Sequence, residues 1–332
     1  MKILVTGGCG FIGSHFIRYA LSQNDEIINL DNQSYAGRGK NLEHMGLIPG
    51  RDYLFIKGDI CDPVTPHALI DKADAVVNFA AESHVDKSYE GQELFKKTNI
   101  SGLENLLSKT MHLWKCKKNK IFLQVSSDEV YGSIPEGEAT EEFPLNALKG
   151  ENPYAKTKAE ADEIALKYFK DYEIPVIITR SSNNIGQYQF PEKLIPLFIT
   201  NLMLKQKVPL MGDGENIREW TYVEDNCRAI YHVLKNGVPG QAYNIGSGER
   251  NRKTNMQVTK AILELFGVEE KSMPEYIQVI DHRKAHDFRY ALNSEKLRKL
   301  GFDTDSFKSF DEVLLETVRW YQENKQWWDK LK

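Results

Sequence analysis

The chain has 332 residues, 41% hydrophobic and 27% charged, with a net charge of -4, which is the make-up of an ordinary globular protein and excludes a disordered one. The slight acidity also excludes a general nucleic-acid-binding surface, which needs a basic face; the cluster Lys115, Lys117, Lys118 and Lys120 has no aromatic residues interleaved and reads as a solvated loop before a strand. Four scattered cysteines (Cys9, Cys61, Cys116, Cys227) offer no metal or disulfide spacing, residues 1–5 run straight into a strand pattern, and no apolar run approaches the ~18 residues of a membrane span, so the expectation is a cytoplasmic protein with no metal, membrane or nucleic-acid partner.

In chain order, short apolar runs predict strands at 3–5, 26–30, 53–56, 75–79, 121–125 and 176–178, each read as a buried parallel strand, with amphipathic segments such as 14–22 and 102–110 between them. Strands alternating with helices predict βαβ units, hence an α/β chain with a Rossmann-like, doubly wound parallel sheet covered on both faces. Beyond residue 180 the rhythm breaks at Pro191, Pro196, Pro209 and the turn Gly212-Asp213-Gly214. A smaller mixed α/β lobe is expected there, ending in one aromatic-rich helix over 309–328. The boundary is placed near 185: residues 1–185 form the first domain, 221–245 return to pack on it, and 186–220 with 246–332 form the second lobe.

Gly7-Gly8-Cys9-Gly10-Phe11-Ile12-Gly13 follows the first strand and opens a helix. In this spacing Gly7 makes the tight turn, Gly10 lets the backbone approach a pyrophosphate, and Gly13 lets helix and sheet pack closely, while the helix N-terminus offers N–H groups and a positive dipole end to the phosphates. Asp31 ends the second strand, where a carboxylate accepts hydrogen bonds from ribose hydroxyls and repels a 2′-phosphate, so NAD is favoured over NADP. Asp59, ending the third strand, either meets an adenine or caps a turn.

Tyr154 and Lys158 are one helical turn apart and share a face. A tyrosine of pKa ~10 is a poor base at neutral pH, and an adjacent ammonium is expected to lower that value, so that Tyr154 takes a hydroxyl proton while hydride leaves to a nicotinamide. Ser126-Ser127-Asp128-Glu129 lies at the carboxyl end of the fifth strand, where open α/β sheets bind ligands. Two adjacent carboxyls push their pKa values apart, so one can serve as an acid and the other as a base.

Together these residues resemble the extended short-chain dehydrogenase/reductase family and, within it, the dTDP-glucose 4,6-dehydratases. The likeness extends through Ala80-Ala81-Glu82-Ser83-His84-Val85-Asp86, Thr98-Asn99, Asp128-Glu129-Val130-Tyr131-Gly132, Asn183-Asn184, Pro191-Glu192-Lys193-Leu194-Ile195-Pro196, Ile217-Arg218 and Tyr222-Val223-Glu224-Asp225. The resemblance implies a hydro-lyase acting on a nucleoside-diphosphate glucose. Tyr154, aided by Lys158, deprotonates the C4 hydroxyl and NAD takes the C4 hydride. Glu129 then removes the C5 proton, Asp128 protonates the departing C6 hydroxyl, and the hydride returns to C6. The product is a 4-keto-6-deoxy sugar, and NAD is regenerated in place.

It implies catalytic roles for Ser127, Asp128, Glu129, Tyr154 and Lys158. The cofactor contacts it implies are Gly7, Gly10, Phe11, Ile12, Gly13, Asp31, Asn32, Ser34, Asp59, Ile60, Ala80, Ala81, Ser83, Thr98, Tyr154, Lys158 and Asn184. Substrate contacts fall to Ser83, Ser127, Asp128, Glu129, Asn183, Lys193, Leu194, Arg218, Asn255, Arg283 and His286, with the two arginines pairing with the diphosphate. A homodimer is implied, built on 95–110 and 155–170. Here Ser127 stands where Thr is usual, Gln187 where Pro is, Met211 where Tyr is, and Lys284-Ala285 where Pro-Gly is. The last two changes leave dTDP and UDP both open as the nucleotide, and a 4-epimerase of the same family remains the alternative chemistry.

Overall fold

The structure, a computed structural model, describes residues 1–37, 40–114, 119–281 and 286–332. Lys115, Cys116, Lys117, Lys118, Arg283, Lys284 and Ala285 lie outside the described residues. In chain order the strands are β1 (Lys2–Thr6), β2 (Glu26–Asp31), β3 (Leu54–Lys57), β4 (Ala75–Asn78), β5 (Ile121–Ser127), β6 (Val176–Ser181), β7 (Asn183–Ile185), β8 (Val208–Met211), β9 (Ile217–Tyr222), β10 (Ala242–Ile245), β11 (Arg252–Thr254) and β12 (Ile277–Ile280). Seven of them form one sheet in the order β10-β6-β5-β4-β1-β2-β3, and every neighbouring pair is parallel. This is a Rossmann-like doubly wound fold.

Apolar residues on both faces of β1, β4, β5 and β6 feed two separate cores, one above and one below the sheet, as expected of strands with no solvated side. β3 departs from the expectation of burial: it is the sheet edge, and Leu54 is 48% exposed. On one face the helix Phe11–Ser22 packs against Val223–Asn236; on the other Thr65–Lys72 packs against Leu103–Trp114. The order reverses between β1 and β4, which creates a crevice at their carboxyl ends. A buried polar ladder crosses it: Thr6 donates to Asn78, whose Nδ2 donates to Gln124 Oε1 at 2.7 Å.

The remaining strands form a three-stranded sheet, β11-β9-β7, and a two-stranded one, β12-β8. The aromatic C-terminal helix differs from expectation. Ser309 and Glu312 form a capping box that starts a helix at Phe310, but the helix stops at Glu323. Asn324 leaves helical geometry (φ -115°, ψ 41°), and a second helix, Lys325–Trp328, restarts after it. That break turns Trp327 back onto Trp320 and Tyr188, with ring centroids 5.1 and 5.6 Å away; aromatic packing outweighs helix continuity. Among the described residues no helix is long and apolar enough to cross a membrane.

Candidate active site

At the end of β1 the chain turns through Gly7 at φ +71°, a backbone conformation that favours glycine. A Cβ on Gly7 would meet Ala80 N at 2.6 Å, and one on Gly13 would meet the Gly7 carbonyl at 2.4 Å, so loop, helix and β4 end pack closer than any side chain permits. The helix Phe11–Ser22 opens without a side-chain cap and with no acidic residue in its first turn. Its first N–H groups therefore suit a phosphate. Asp31 closes β2 with each carboxylate oxygen already accepting from backbone: Cys9 N at 2.9 Å and Gln33 N at 2.6 Å. Burial pushes its pKa up while those bonds pull it down. Asp59 caps its own turn through Cys61 N at 2.8 Å and also faces the cleft.

One cleft of about 620 Å³ runs from this loop across the ends of β4 and β5 to β8, β9 and β12. Each of Gly7, Gly10, Phe11, Ile12, Gly13, Asp31, Asn32, Ser34, Asp59, Ile60, Ala80, Ala81, Ser83, Thr98 and Asn184 lines it, as do Ser127, Asp128, Glu129, Tyr154, Lys158, Asn183, Lys193, Leu194, Arg218, Asn255 and His286. Arg283 lies outside the described residues. Around the cleft Ser126 Oγ, Asp128 Oδ2, Asn183 Oδ1, Asn184 Oδ1, Asn255 Oδ1 and Trp220 Nε1 are buried with no partner among the described residues. Such groups cost free energy unless a ligand satisfies them, and together with the glycine cradle they fit a dinucleotide and a second polar molecule.

The reacting end is assembled by two helical starts. Ser127 caps a 3-10 turn, Asp128–Tyr131, by accepting from Glu129 N at 3.2 Å, and its own hydroxyl donates to Asp128 Oδ1 at 3.1 Å. Asn152 caps the helix Pro153–Tyr172 through Ala155 N, and its amide donates to Glu129 Oε2 at 3.1 Å. One asparagine thus ties the turn bearing the carboxyls to the helix bearing Tyr154 and Lys158. Burial, reinforced by Glu129, raises the pKa of Asp128 well above the usual carboxylate range, although Ser127 and Arg218 pull the other way. Asp128 is thus pushed towards its protonated form.

Two expectations need correction. The pKa of Tyr154 is raised, by burial and then by Glu129, with only the Ser127 hydrogen bond lowering it among the leading causes. Lys158 is not among the leading causes: its ammonium donates to Val125 O at 2.7 Å, and burial lowers its own pKa to about 8. Arg218 also differs from a free phosphate clamp. It donates to the carbonyls of Ile217 and Asp287, each at 2.8 Å, and lies 4.4 Å from the Tyr290 ring centroid.

Sequence reasoning assigned no role to Asn152, Glu192 or Tyr290, all on the cleft. Asn152 was findable as an N-cap before Pro153. Glu192 accepts from Tyr35 and Lys87, each at 2.8 Å, joining the loop after β2 and the helix Val85–Glu90 to the segment after β7; no local spacing announces such a contact.

The GDP-mannose 4,6 dehydratase family model matches residues 4–317. The chain is 41% identical to the dTDP-glucose 4,6-dehydratase of Streptomyces niveus over 343 residues, covering 100% of this chain and 96% of that one. It is 43% identical to the low-salt glycan biosynthesis protein Agl12 of Haloferax volcanii over 322 residues, covering 97% and 98%. Among solved structures, DesIV, a dTDP-glucose 4,6-dehydratase from Streptomyces venezuelae with NAD bound, superposes with a TM-score of 0.92 at 42% identity over 100% of both chains.

Proposed function

The chain belongs to the GDP-mannose 4,6 dehydratase family, and from that premise we propose that it is an NAD-dependent hydro-lyase converting dTDP-glucose to its 4-keto-6-deoxy product. The observation that carries this reading is the pair Asp128 and Glu129 beside Tyr154. One carboxyl is fully buried and pushed towards its protonated form, while the other accepts a hydrogen bond from Asn152. An epimerase needs only the tyrosine; loss of water needs an acid and a base as well.

Bound NAD supplies reversible two-electron oxidation at C4 and reduction at C6, so no outside oxidant or reductant is consumed. The glycine loop and the N-terminus of Phe11–Ser22 hold its pyrophosphate, Asp31 its ribose. Ser127 and Tyr154 meet the C4 oxygen, and Tyr154 takes the hydroxyl proton. Its phenol is disfavoured as a base by burial and Glu129, and the Ser127 hydrogen bond lowers that cost; bound NAD would add positive charge to the cleft. Glu129 removes the proton at C5, made acidic by the C4 ketone, and Asp128 gives its proton to the C6 hydroxyl, which departs as water. Reprotonation at C5 completes the balance. Lys193, Leu194, Asn255, His286, Arg218 and Arg283 receive the nucleoside diphosphate. Residues 1–185 with 221–245 form the cofactor half and the rest the nucleotide-sugar half, in a cytoplasmic homodimer.

The test is incubation with dTDP-glucose and, separately, UDP-glucose, followed by the alkali-induced absorbance of a 4-keto-6-deoxy sugar. Product from dTDP-glucose supports the reading. Product from UDP-glucose alone would retain the chemistry and reject the nucleotide; none from either rejects both.

A further inference from the structure

The helix Pro153–Tyr172 carries more than the tyrosine and lysine on its inward face. Asp162 stands one further turn along, so Tyr154, Lys158 and Asp162 form a single buried line at i, i+4 and i+8, with Asp162 wholly inaccessible to solvent. Lys158 has one oxygen close by, the Val125 carbonyl at 2.7 Å. Asp162 Oδ2 accepts from Arg180 Nε on β6 at 2.8 Å, while its Oδ1 is buried without a hydrogen-bond partner among the described residues. Arg180 is itself fixed, donating to Tyr131 Oη at 2.8 Å and to the Glu141 carbonyl at 3.1 Å, and Tyr131 donates to Asn244 at 2.7 Å. The carboxylate is thus locked from behind and has one uncommitted oxygen.

We propose that Asp162 is a positioning residue for the reaction: held by Arg180, its carboxylate is the counter-charge that keeps Lys158 an ammonium next to Tyr154. The inference rests on the assignment of Tyr154 and Lys158 to the oxidation step. An ammonium so deeply buried tends to lose its proton. Burial brings Lys158 to about 8, and Asp162 is the group that opposes the fall. The other charged or titratable groups packed around this stretch are Asp128, Glu129 and Tyr131 on the turn after β5 and Arg180 on β6. On the preceding helices and turns Tyr89 and Lys109 are half-buried, and Asp86, Lys87, Glu90, Glu93, Lys96, Lys97, Glu104, His112 and Lys149 are exposed, where solvent screens them. A neutral Lys158 could not stabilise negative charge on Tyr154, so losing the counter-charge would confine activity to lower pH.

The experiment reads Lys158 directly, in protein carrying ¹³Cε-lysine, with its resonance assigned by loss in Lys158→Met. The wild-type midpoint is expected near 8. In Asp162→Asn it should fall by roughly one pH unit or more, a tenfold change in proton affinity, and Asp162→Glu should return it towards the wild-type value. The alkaline limb of turnover should move down with it. Asp162→Asn strands the Arg180 guanidinium, so Asp162→Asn with Arg180→Met is measured beside it; the midpoint should fall there too. A folded variant lacking Asp162 with an unchanged midpoint would overturn the proposal and leave Asp162 as a core ion pair only. The titration needs no substrate, so its outcome is independent of whether dTDP-glucose is turned over.

Discussion

Along the glycine loop, the polar side chains that face the cleft are largely matched by the fold itself: Asp31 accepts from Cys9 N and Gln33 N, Asn32 from Ser34 N, Asp59 from Cys61 N. At the carboxyl end of β5 and the start of β7 the reverse holds among the described residues. Asp128 Oδ2, Ser126 Oγ, Asn183 Oδ1 and Asn184 Oδ1 are buried unmatched, and Asp128, Tyr154 and Lys158 are all pushed towards their uncharged forms. The first region is shaped by steric closeness and backbone, which suits a cofactor that is to be held through turnover. The second keeps groups under electrostatic tension, which suits proton transfer. Violations of local satisfaction concentrate where chemistry is to be done.

The contrast can be broken most severely at Glu129. Glu129→Gln keeps the volume and an oxygen for Asn152 to bond, yet removes the base, so product formation should fall ~10²–10⁴-fold with bound NAD per chain unchanged. Full turnover would refute the division of labour. Gly13→Ala attacks the other region: its Cβ would sit 2.4 Å from the Gly7 carbonyl. The variant should lose bound NAD and ~1–3 kcal/mol of stability, seen as nucleotide released on denaturation and as a lower Tm.

Asp128→Asn sharpens the comparison through pH. The folded-state pKa of Asp128 is raised, so between the unfolded value and the raised one the native protein holds a proton that the unfolded chain releases. Stability therefore falls as pH rises through that window. The amide escapes this cost, so Asp128→Asn should raise Tm by about 2 °C or more at neutral pH. The gain should shrink towards pH ~4, the region of an ordinary Asp pKa, even as dehydration is lost. A gain that persisted unchanged into acid would contradict a protonated Asp128. The smallest effect is expected at Asn152. Asn152→Ala loses a cap worth ~1 kcal/mol, whereas Asn152→Ser keeps the cap and drops only the amide on Glu129, slowing turnover severalfold at unchanged Tm.

The same contrast governs what was legible in the sequence. Strand runs, the glycine spacing, Asp31 and the Tyr154–Lys158 turn are short-range patterns, and chain order alone puts them at one sheet edge. What escaped depends on tertiary neighbours: exposure of Leu54 on β3, the break at Asn324 driven by Trp327, the Val125 carbonyl that takes the Lys158 ammonium, and Glu192 reaching Tyr35 and Lys87. The expected fall in the Tyr154 pKa failed for the same reason. Spacing places a lysine one turn away, but the burial and the Glu129 charge that raise the value come only with tertiary packing.

The central claim, that Asp128 and Glu129 carry a dehydration on a dehydrogenase fold, is tested most directly by running the reaction with dTDP-glucose in deuterated water and reading the sugar by NMR. The account expects a 4-keto-6-deoxy product with solvent deuterium at C5 and the original C4 hydrogen carried to C6. A C4-inverted sugar that keeps its C6 hydroxyl and its C5 hydrogen would contradict it.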